Sequence, residues 1–260
     1  MIDIHSHILP FIDDGATDWN EAIEMAQQAI ADGITKIVAT PHHANGRYNN
    51  TAPEINKYVV EFNTRIHDLN MNLEVLPGQE VRVYDNLLDD WKNGQLESLN
   101  HSKYLLLELP SSSVPSYVEE FIYELSLMGL QVIIAHPERN AEIANDPTIL
   151  QNMIDNGALG QLTAQSLTGE FGKKLQKLSL DLCHKNLVQL IASDAHDTVR
   201  RPFGLSKAYQ MIGHKLGSEI EQYFRDNAEK VIMDAPIALL SEDGHKSTRN
   251  KLSRLFSVFS

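Results

Sequence analysis

The chain has a single cysteine, Cys183, among 260 residues. That excludes an internal disulfide and fits a reducing compartment. Apolar runs stay well short of the roughly 20 residues needed to span a bilayer. The start lacks the basic-then-apolar segment of a secretory leader, so a cytoplasmic location is expected. Basic residues are in deficit: 22 Lys and Arg against 35 Asp and Glu give a formal net charge of −13. Non-specific binding to nucleic acid relies on neutralising phosphates, so no nucleic-acid partner is expected. The sequence also lacks a P-loop, a GxGxxG fingerprint, an internal repeat and a Gly/Ser- or Pro-rich linker.

What is present is an alternation of short apolar runs with helix-patterned segments. Asp18 to Ala31 reads as a helix, capped by Asp18, with Ala22, Met25, Ala26 and Ala29 on one face and Gly33 past its end. Ala52 to Leu69 repeats Ile55, Tyr58, Val59 and Phe62 at helical spacing. Pro115 to Met128, Thr148 to Asp155 and Gly172 to His184 read as further helices. Between them lie strand-like runs at Ile37–Ala39, Leu73–Leu76, Tyr104–Leu109, Gln131–Ala135, Leu159–Thr163 and Leu187–Ala192. With Ile2 and Ile4 at the start, that makes seven strands. Strands alternating with helices imply parallel pairing with right-handed crossovers.

Nearly every one of these strands ends on histidine or carboxylate. His5 and His7 follow Ile2 and Ile4. His42 and His43 follow Ile37–Ala39, and Glu80 follows Leu73–Leu76 after Pro77-Gly78. Glu108 closes Tyr104–Leu107, His136 closes Val132–Ala135, and Asp194 and His196 close Leu187–Ala192. Asp13-Asp14-Gly15 adds a carboxylate on a turn. Ligands at the carboxyl ends of successive parallel strands are how a barrel gathers a metal site. The outer strands of an open sheet would lie too far apart to share one. A closed barrel of seven β/α units is therefore expected, ahead of an open α/β sheet, with its site at the strand C-termini. His-x-His places two imidazoles on the same side of an extended backbone. Of His42 and His43, one fits a ligand and the other a supporting role. A carboxylate at the core end of a strand is costly unless paired or metal-bound, so Glu80 and Glu108 read as ligands or as halves of core ion pairs. Asp197 reads as a cap.

The strings His5-Ser6-His7, Thr40-Pro41-His42-His43, Gly78-Gln79-Glu80, His136-Pro137-Glu138-Arg139 and Ser193-Asp194-Ala195-His196 resemble the motifs of the PHP (polymerase and histidinol phosphatase) superfamily. The start Met1 to Pro10, with Asp13-Asp14-Gly15, more narrowly resembles the bacterial manganese-dependent protein-tyrosine phosphatases of capsule and exopolysaccharide operons, the CpsB/YwqE type. The resemblance runs from residue 1 to about residue 230. It implies the PHP fold, a distorted (β/α)7 TIM-like barrel over residues 1–240, with a trinuclear site and metal ligands at His5, His7, Asp14, His42, Glu80, Glu108, His136, Asp194 and His196, none of them substituted. It implies that Arg139 and Arg201 hold the substrate phosphate. Imidazole mixed with carboxylate, without thiolate, suits manganese, iron or zinc; the resemblance implies Mn2+, as three ions. The implied substrate is a phosphotyrosine protein, the C-terminal tyrosine cluster of a bacterial tyrosine kinase, through which the chain would sit at the membrane periphery. His42, His43 or His196 could donate a proton to the leaving group, and the residues do not choose among them.

Cysteine-based dephosphorylation is excluded, because Gln189 rather than arginine stands six positions after Cys183. Other readings are a small-molecule phosphatase of the histidinol-phosphate type, a metal-dependent nuclease, and a non-catalytic kinase-binding regulator. The tail 241–260 differs from the rest. From Lys246 onward it holds Lys246, Arg249, Lys251 and Arg254, no acid, and Leu252, Leu255, Phe256 and Phe259 at helical spacing. It reads as a solvated tail, or as an amphipathic contact for an acidic membrane surface or a partner.

Overall fold

The computed structural model describes residues 1–240 of the chain, so the expectations for the basic tail lie outside the described residues. In chain order the elements are β1 (Ile2–Ser6), α1 (Trp19–Ala31), β2 (Lys36–Ala39), β3 (His42–His43), α2 (Ala52–Asp68), β4 (Glu74–Pro77), β5 (Glu80–Arg82) and α3 (Leu87–Lys92). A 3-10 turn, Leu99–His101, leads to β6 (Tyr104–Glu108), α4 (Val118–Leu127) and β7 (Gln131–Ala135). A second 3-10 turn, Pro137–Arg139, precedes α5 (Ala141–Asn145), α6 (Thr148–Asp155), β8 (Leu159–Thr163), α7 (Ala164–Thr168) and α8 (Lys173–His184). The last elements are β9 (Leu190–Ala192), α9 (Leu205–Leu216) and α10 (Ser218–Ile232).

All strand pairs are parallel. They form a three-stranded sheet, β1-β2-β4, and a six-stranded sheet, β3-β5-β6-β7-β8-β9. The two sheets are one barrel wall. β2 runs into β3 across Thr40-Pro41, and β4 runs into β5 across Gly78-Gln79. Pro41 has no N–H to give a ladder, and a Cβ on Gly78 would stand 2.6 Å from Val38 Cγ1. The remaining edge closes between β1 and the end of β9. Asp194 N–H donates to the His5 carbonyl at 2.9 Å, and His7 N–H donates to the Ala195 carbonyl at 2.8 Å. The result is a distorted barrel of seven staves, matching the seven strands read from the sequence.

Apolar side chains sort by strand parity. Ile4, Val38, Leu76, Leu106, Ile133, Leu159 and Leu190, one from each stave, form an inner cluster with Ala228 and Val231 of α10. Ile37, Val75, Leu105, Leu107, Val132, Ile134, Leu162 and Ile191 join the outer cluster beneath the helices. Burying one such side chain contributes about 1.5–3 kcal/mol relative to leaving it exposed.

The caps expected at Asp18 and Asp197 are present, the second on a turn and not on a helix. Asp18 caps α1, accepting from Asn20 and Glu21 N–H. Asp197 Oδ1 accepts from Val199 N–H at 2.7 Å and from the N–H groups of Arg200 and Arg201. Cys183 is buried on α8, and burial pushes its thiol pKa up. The pattern reading placed no element after Ala192, whereas α9 and α10 follow. Leu205, Ala208, Tyr209, Ile212 and Leu216 carry the helical spacing that marks α9.

Candidate metal centre

A bulge in β1 aims the first two histidines. Asp3 pairs with Ile37 but Ser6 pairs with Ala39, so β1 holds one extra residue over that stretch. Strict alternation would put His5 opposite Ile4; the bulge lets both face the lumen. His5 and His7 then bring their Nε2 atoms to 3.2 Å of one another. Both lie 3.3–3.4 Å from Glu80 Oε2 and 3.3 Å from Asp194 Oδ1.

Glu80 is the hub. Its Oε1 meets His136 Nε2 at 2.7 Å, and its Oε2 stands 2.9 Å from His42 Nδ1. His42 reaches Glu108 Oε2 at 3.7 Å on one side and Asp14 Oδ1 at 3.4 Å on the other, and His196 Nε2 lies 3.6 Å from that same Asp14 oxygen. His136 (φ 32°) and Asp194 (φ 54°) leave their strands in the left-handed region, a strained exit that turns them into the rim. All nine expected ligands therefore converge. They fall into overlapping groups: His7, Asp14, His42 and His196; His5, His7 and Glu80; His5, His136 and Asp194; His42, Glu80 and Glu108. His43 joins none of them. Its Nδ1 donates to the Asn50 carbonyl at 2.7 Å, and burial lowers its pKa.

The residues fit divalent cations. Five of the converging atoms, His42 Nδ1, Glu80 Oε2, Glu108 Oε2, Asp194 Oδ1 and His196 Nε2, are buried without a well-aligned hydrogen bond, although His42 Nδ1 and Glu80 Oε2 stand 2.9 Å apart. Buried polar atoms are normally satisfied, and five orphans facing each other are what a cation would satisfy. Protonation tells the same story. Burial would lower His5, His7 and His42, but Glu80 beside His5 and His42, and Asp13 beside His7, raise all three. Burial and the His7 charge push His196 well below the usual imidazole range. Burial would raise Glu80 and Asp194, yet the surrounding imidazoles hold both well below the carboxylate range, with Arg201 helping at Asp194. Burial and the Glu80 charge push Glu108 up to about 7. Protons here balance carboxylate charge, which is the work a metal ion takes over as it displaces them.

Arg139 and Arg201 both grip Asp194 Oδ2, Arg139 at 2.5 Å. They come from the turn after β7 and the loop after β9, so two separate staves bring their guanidiniums to one edge of the cluster. A cavity of about 280 Å³ opens there, lined by Glu108, Ser111, His136, Arg139 and Asn140 among others.

Two contributors escaped the sequence reading, and a third, Asp13, was named there without its role. Gln161 Oε1 lies 2.8 Å from His5 Nδ1 and fixes that ring from behind; the signal was a lone amide in an otherwise apolar strand. Arg82, two residues after Glu80 on the same face of β5, pairs with Glu108 Oε1 at 3.0 Å. Asp13, beside the expected ligand Asp14, holds His7 Nδ1 at 2.6 Å, and the His7 charge overrides burial to bring Asp13 down to about 2. Gly15 permits this turn by closeness rather than by φ, since a Cβ there would meet the His7 carbonyl oxygen at 1.9 Å.

A parallel α/β barrel with imidazoles and carboxylates gathered at the strand ends has the architecture of the barrel metallohydrolases. More narrowly, the chain belongs to the CpsB/CapC family of capsular polysaccharide synthesis, whose model matches residues 1–233. It is 44% identical over 237 residues to the tyrosine-protein phosphatase YwqE of Bacillus subtilis (strain 168), covering 91% of this chain and 93% of the relative. It is 44% identical over 231 residues to the putative tyrosine-protein phosphatase CapC of Staphylococcus aureus, covering 87% and 89%. A crystal structure from the work on B. subtilis YwqE and Streptococcus pneumoniae CpsB, described as unique metal-dependent tyrosine phosphatases, superposes with a TM-score of 0.90 at 43% identity, covering 92% of this chain and 97% of that one. Among the described residues no helix is long and apolar enough to cross a membrane.

Proposed function

We propose that this chain is a metal-dependent protein-tyrosine phosphatase that hydrolyses phosphotyrosine with water. The observation that carries the reading is the set of five orphaned, buried ligand atoms converging beside two arginines. His5, His7, Asp14, His42, Glu80, Glu108, His136, Asp194 and His196 would hold the ions, with three manganese ions preferred and iron or zinc as substitutes. Bound divalent ions supply activation of water near neutral pH and neutralisation of charge on the phosphoryl oxygens. Nine protein ligands suit more than one ion, and Glu80, which lies within 3.4 Å of four imidazoles, would help to hold more than one of them.

Arg139 and Arg201 orient the phosphoryl group. Each uses only part of its donor fork on Asp194, and their side chains are 34% and 25% exposed, which leaves N–H groups for a dianion. His42 and His196 flank Asp14; a ring nitrogen bound to an ion has no proton to give, so either would serve as the proton donor at the leaving oxygen only through a nitrogen that is not ligating. A tyrosyl group, with a pKa of about 10, asks less of that donor than an alkyl alcohol does. The substrate we favour is the C-terminal tyrosine cluster of a bacterial tyrosine kinase that governs capsule or exopolysaccharide synthesis, in keeping with the family.

Phosphate release from a tyrosine-phosphorylated peptide, with manganese and with chelator, tests this. Release that requires manganese and survives thiol alkylation is expected. Turnover of histidinol phosphate alone, or peptide retained without phosphate release, would overturn it.

A further inference from the structure

Phe11 is disfavoured twice over. Its φ of 72° lies in the left-handed region, where a bulky side chain is a true outlier and glycine is at ease. Its ring is also 60% exposed, so packing within the chain does not explain it. Yet the turn that displays it is tightly held. Phe11 N–H donates to the Ala16 carbonyl at 3.0 Å, and Ala16 N–H donates to the His7 carbonyl at 3.2 Å. Asp13 and Asp14 sit within this turn, and Asp14 is the most exposed member of the ligand cluster, at 43%. Strain kept in place at the edge of a site points to a contact with something that enters the site.

A second aromatic stands on the neighbouring loop. Tyr48 is fixed by its N–H on Asn45 Oδ1 at 2.8 Å. Its ring is nearly parallel to that of His42, with 6.3 Å between centroids and 7° between planes, and the Arg47 guanidinium lies 4.9 Å from its ring centroid. The two loops are tied together by Asn50, whose Nδ2 donates to the Ile12 carbonyl at 2.8 Å and to the His42 carbonyl at 2.9 Å.

We propose that Phe11 and Tyr48 form an aromatic lip over the ligand cluster that receives the aryl group of the phosphoester and selects aryl over alkyl phosphates. This rests on the phosphatase reading and adds the residues that recognise the leaving group. The arginines and metal site read the phosphoryl end, which aryl and alkyl esters share. Only the ring distinguishes them, and stacked or edge-on aromatic contacts are the means.

The test uses two non-hydrolysable probes, phenylphosphonate and methylphosphonate, titrated into the manganese-loaded full chain. The phenyl compound is expected to bind about fivefold more tightly. Phe11→Gly and Tyr48→Ala should each remove most of that preference and leave methylphosphonate affinity unchanged, while Tyr48→Phe keeps the preference. Phe11→Gly should also raise the melting temperature, because it relieves the backbone. Equal affinity for the two probes in the parent chain, or a preference that survives both substitutions, overturns the lip. A lower melting temperature for Phe11→Gly makes Phe11 structural and overturns its part. Phenyl preference without turnover of phosphotyrosine peptide would uphold the lip and sink the phosphatase reading instead.

Discussion

Asp13 and His7 are locked together: one carboxylate oxygen lies 2.6 Å from Nδ1, and Nε2 is left to face Glu80 and Asp194. The same carboxylate accepts Gly15 N–H at 2.9 Å and His42 N–H at 3.1 Å. Asp13 thus sets the ring of one candidate ligand and the backbone of another while joining no ligand group itself.

Asp13→Ala should therefore weaken metal binding by roughly 10–100-fold, the usual effect of losing a partner behind a ligating histidine. Metal titration of the stripped protein measures it. Unchanged affinity would mean that β1 alone holds His7.

His136 and Arg139 are three residues apart in sequence and should part company in a double assay. His136→Ala is expected to lose turnover and bound metal together. Arg139→Ala is expected to lose turnover by roughly 100-fold or more with its metal content intact. Metal loss from the Arg139 variant would make the arginine a structural partner of Asp194, which it touches at 2.5 Å.

Asp3 gives a pH signature away from the rim. Burial raises it from 3.8 to about 6, although it accepts N–H groups from Ser193 and His5. The folded chain holds this proton more tightly than the unfolded chain does. The contribution is therefore full below about pH 3.8 and is lost as pH rises through about 6. Asp3→Asn removes the charge and should be the more stable chain at pH 7 by roughly 3 kcal/mol, with the gap down to about 0.5 kcal/mol at pH 4. Denaturant midpoints of both metal-free chains across that range decide it, and parallel pH curves would contradict it.

Gly15→Ala should destabilise the fold by about 1–3 kcal/mol and weaken metal binding with it, because the new methyl group meets the His7 carbonyl. Gly204→Ala is the matched control, with extended backbone and nothing within 4 Å. Thermal melts and metal titrations of the two variants should separate cleanly. If both behave alike, the Gly15 contact carries no weight.

The alternation of apolar runs and the polar residues ending them made the seven staves readable, together with the histidines and carboxylates that converge at their ends, because both are properties of one strand at a time; Asp14, on a turn, was singled out only through the family resemblance. What stayed hidden depends on a second strand. The β1 bulge exists only relative to the register of β2. Gln161 matters only because β8 lies across from His5, and the splits into β2/β3 and β4/β5 show only in the pairing. Phe11 looks ordinary in a string of letters, and its positive φ is visible only in three dimensions.

The joint between β1 and β9 sets an order of events for a newly made chain. Ser193 N–H and Asp3 Oδ1, 190 residues apart, meet where the barrel closes, with His5, His7 and Asp194 around them. The ribosome releases His5 and His7 early, and they have nothing to close upon until the last stave emerges. Contacts of such long range form slowly, after most of the loop-closure entropy has been lost. If His5, His7 and Asp194 share an ion, that ion would favour the closed chain over the open one and would act as a late clasp. Scarcity of metal during synthesis would then lower the yield of folded protein as well as its activity.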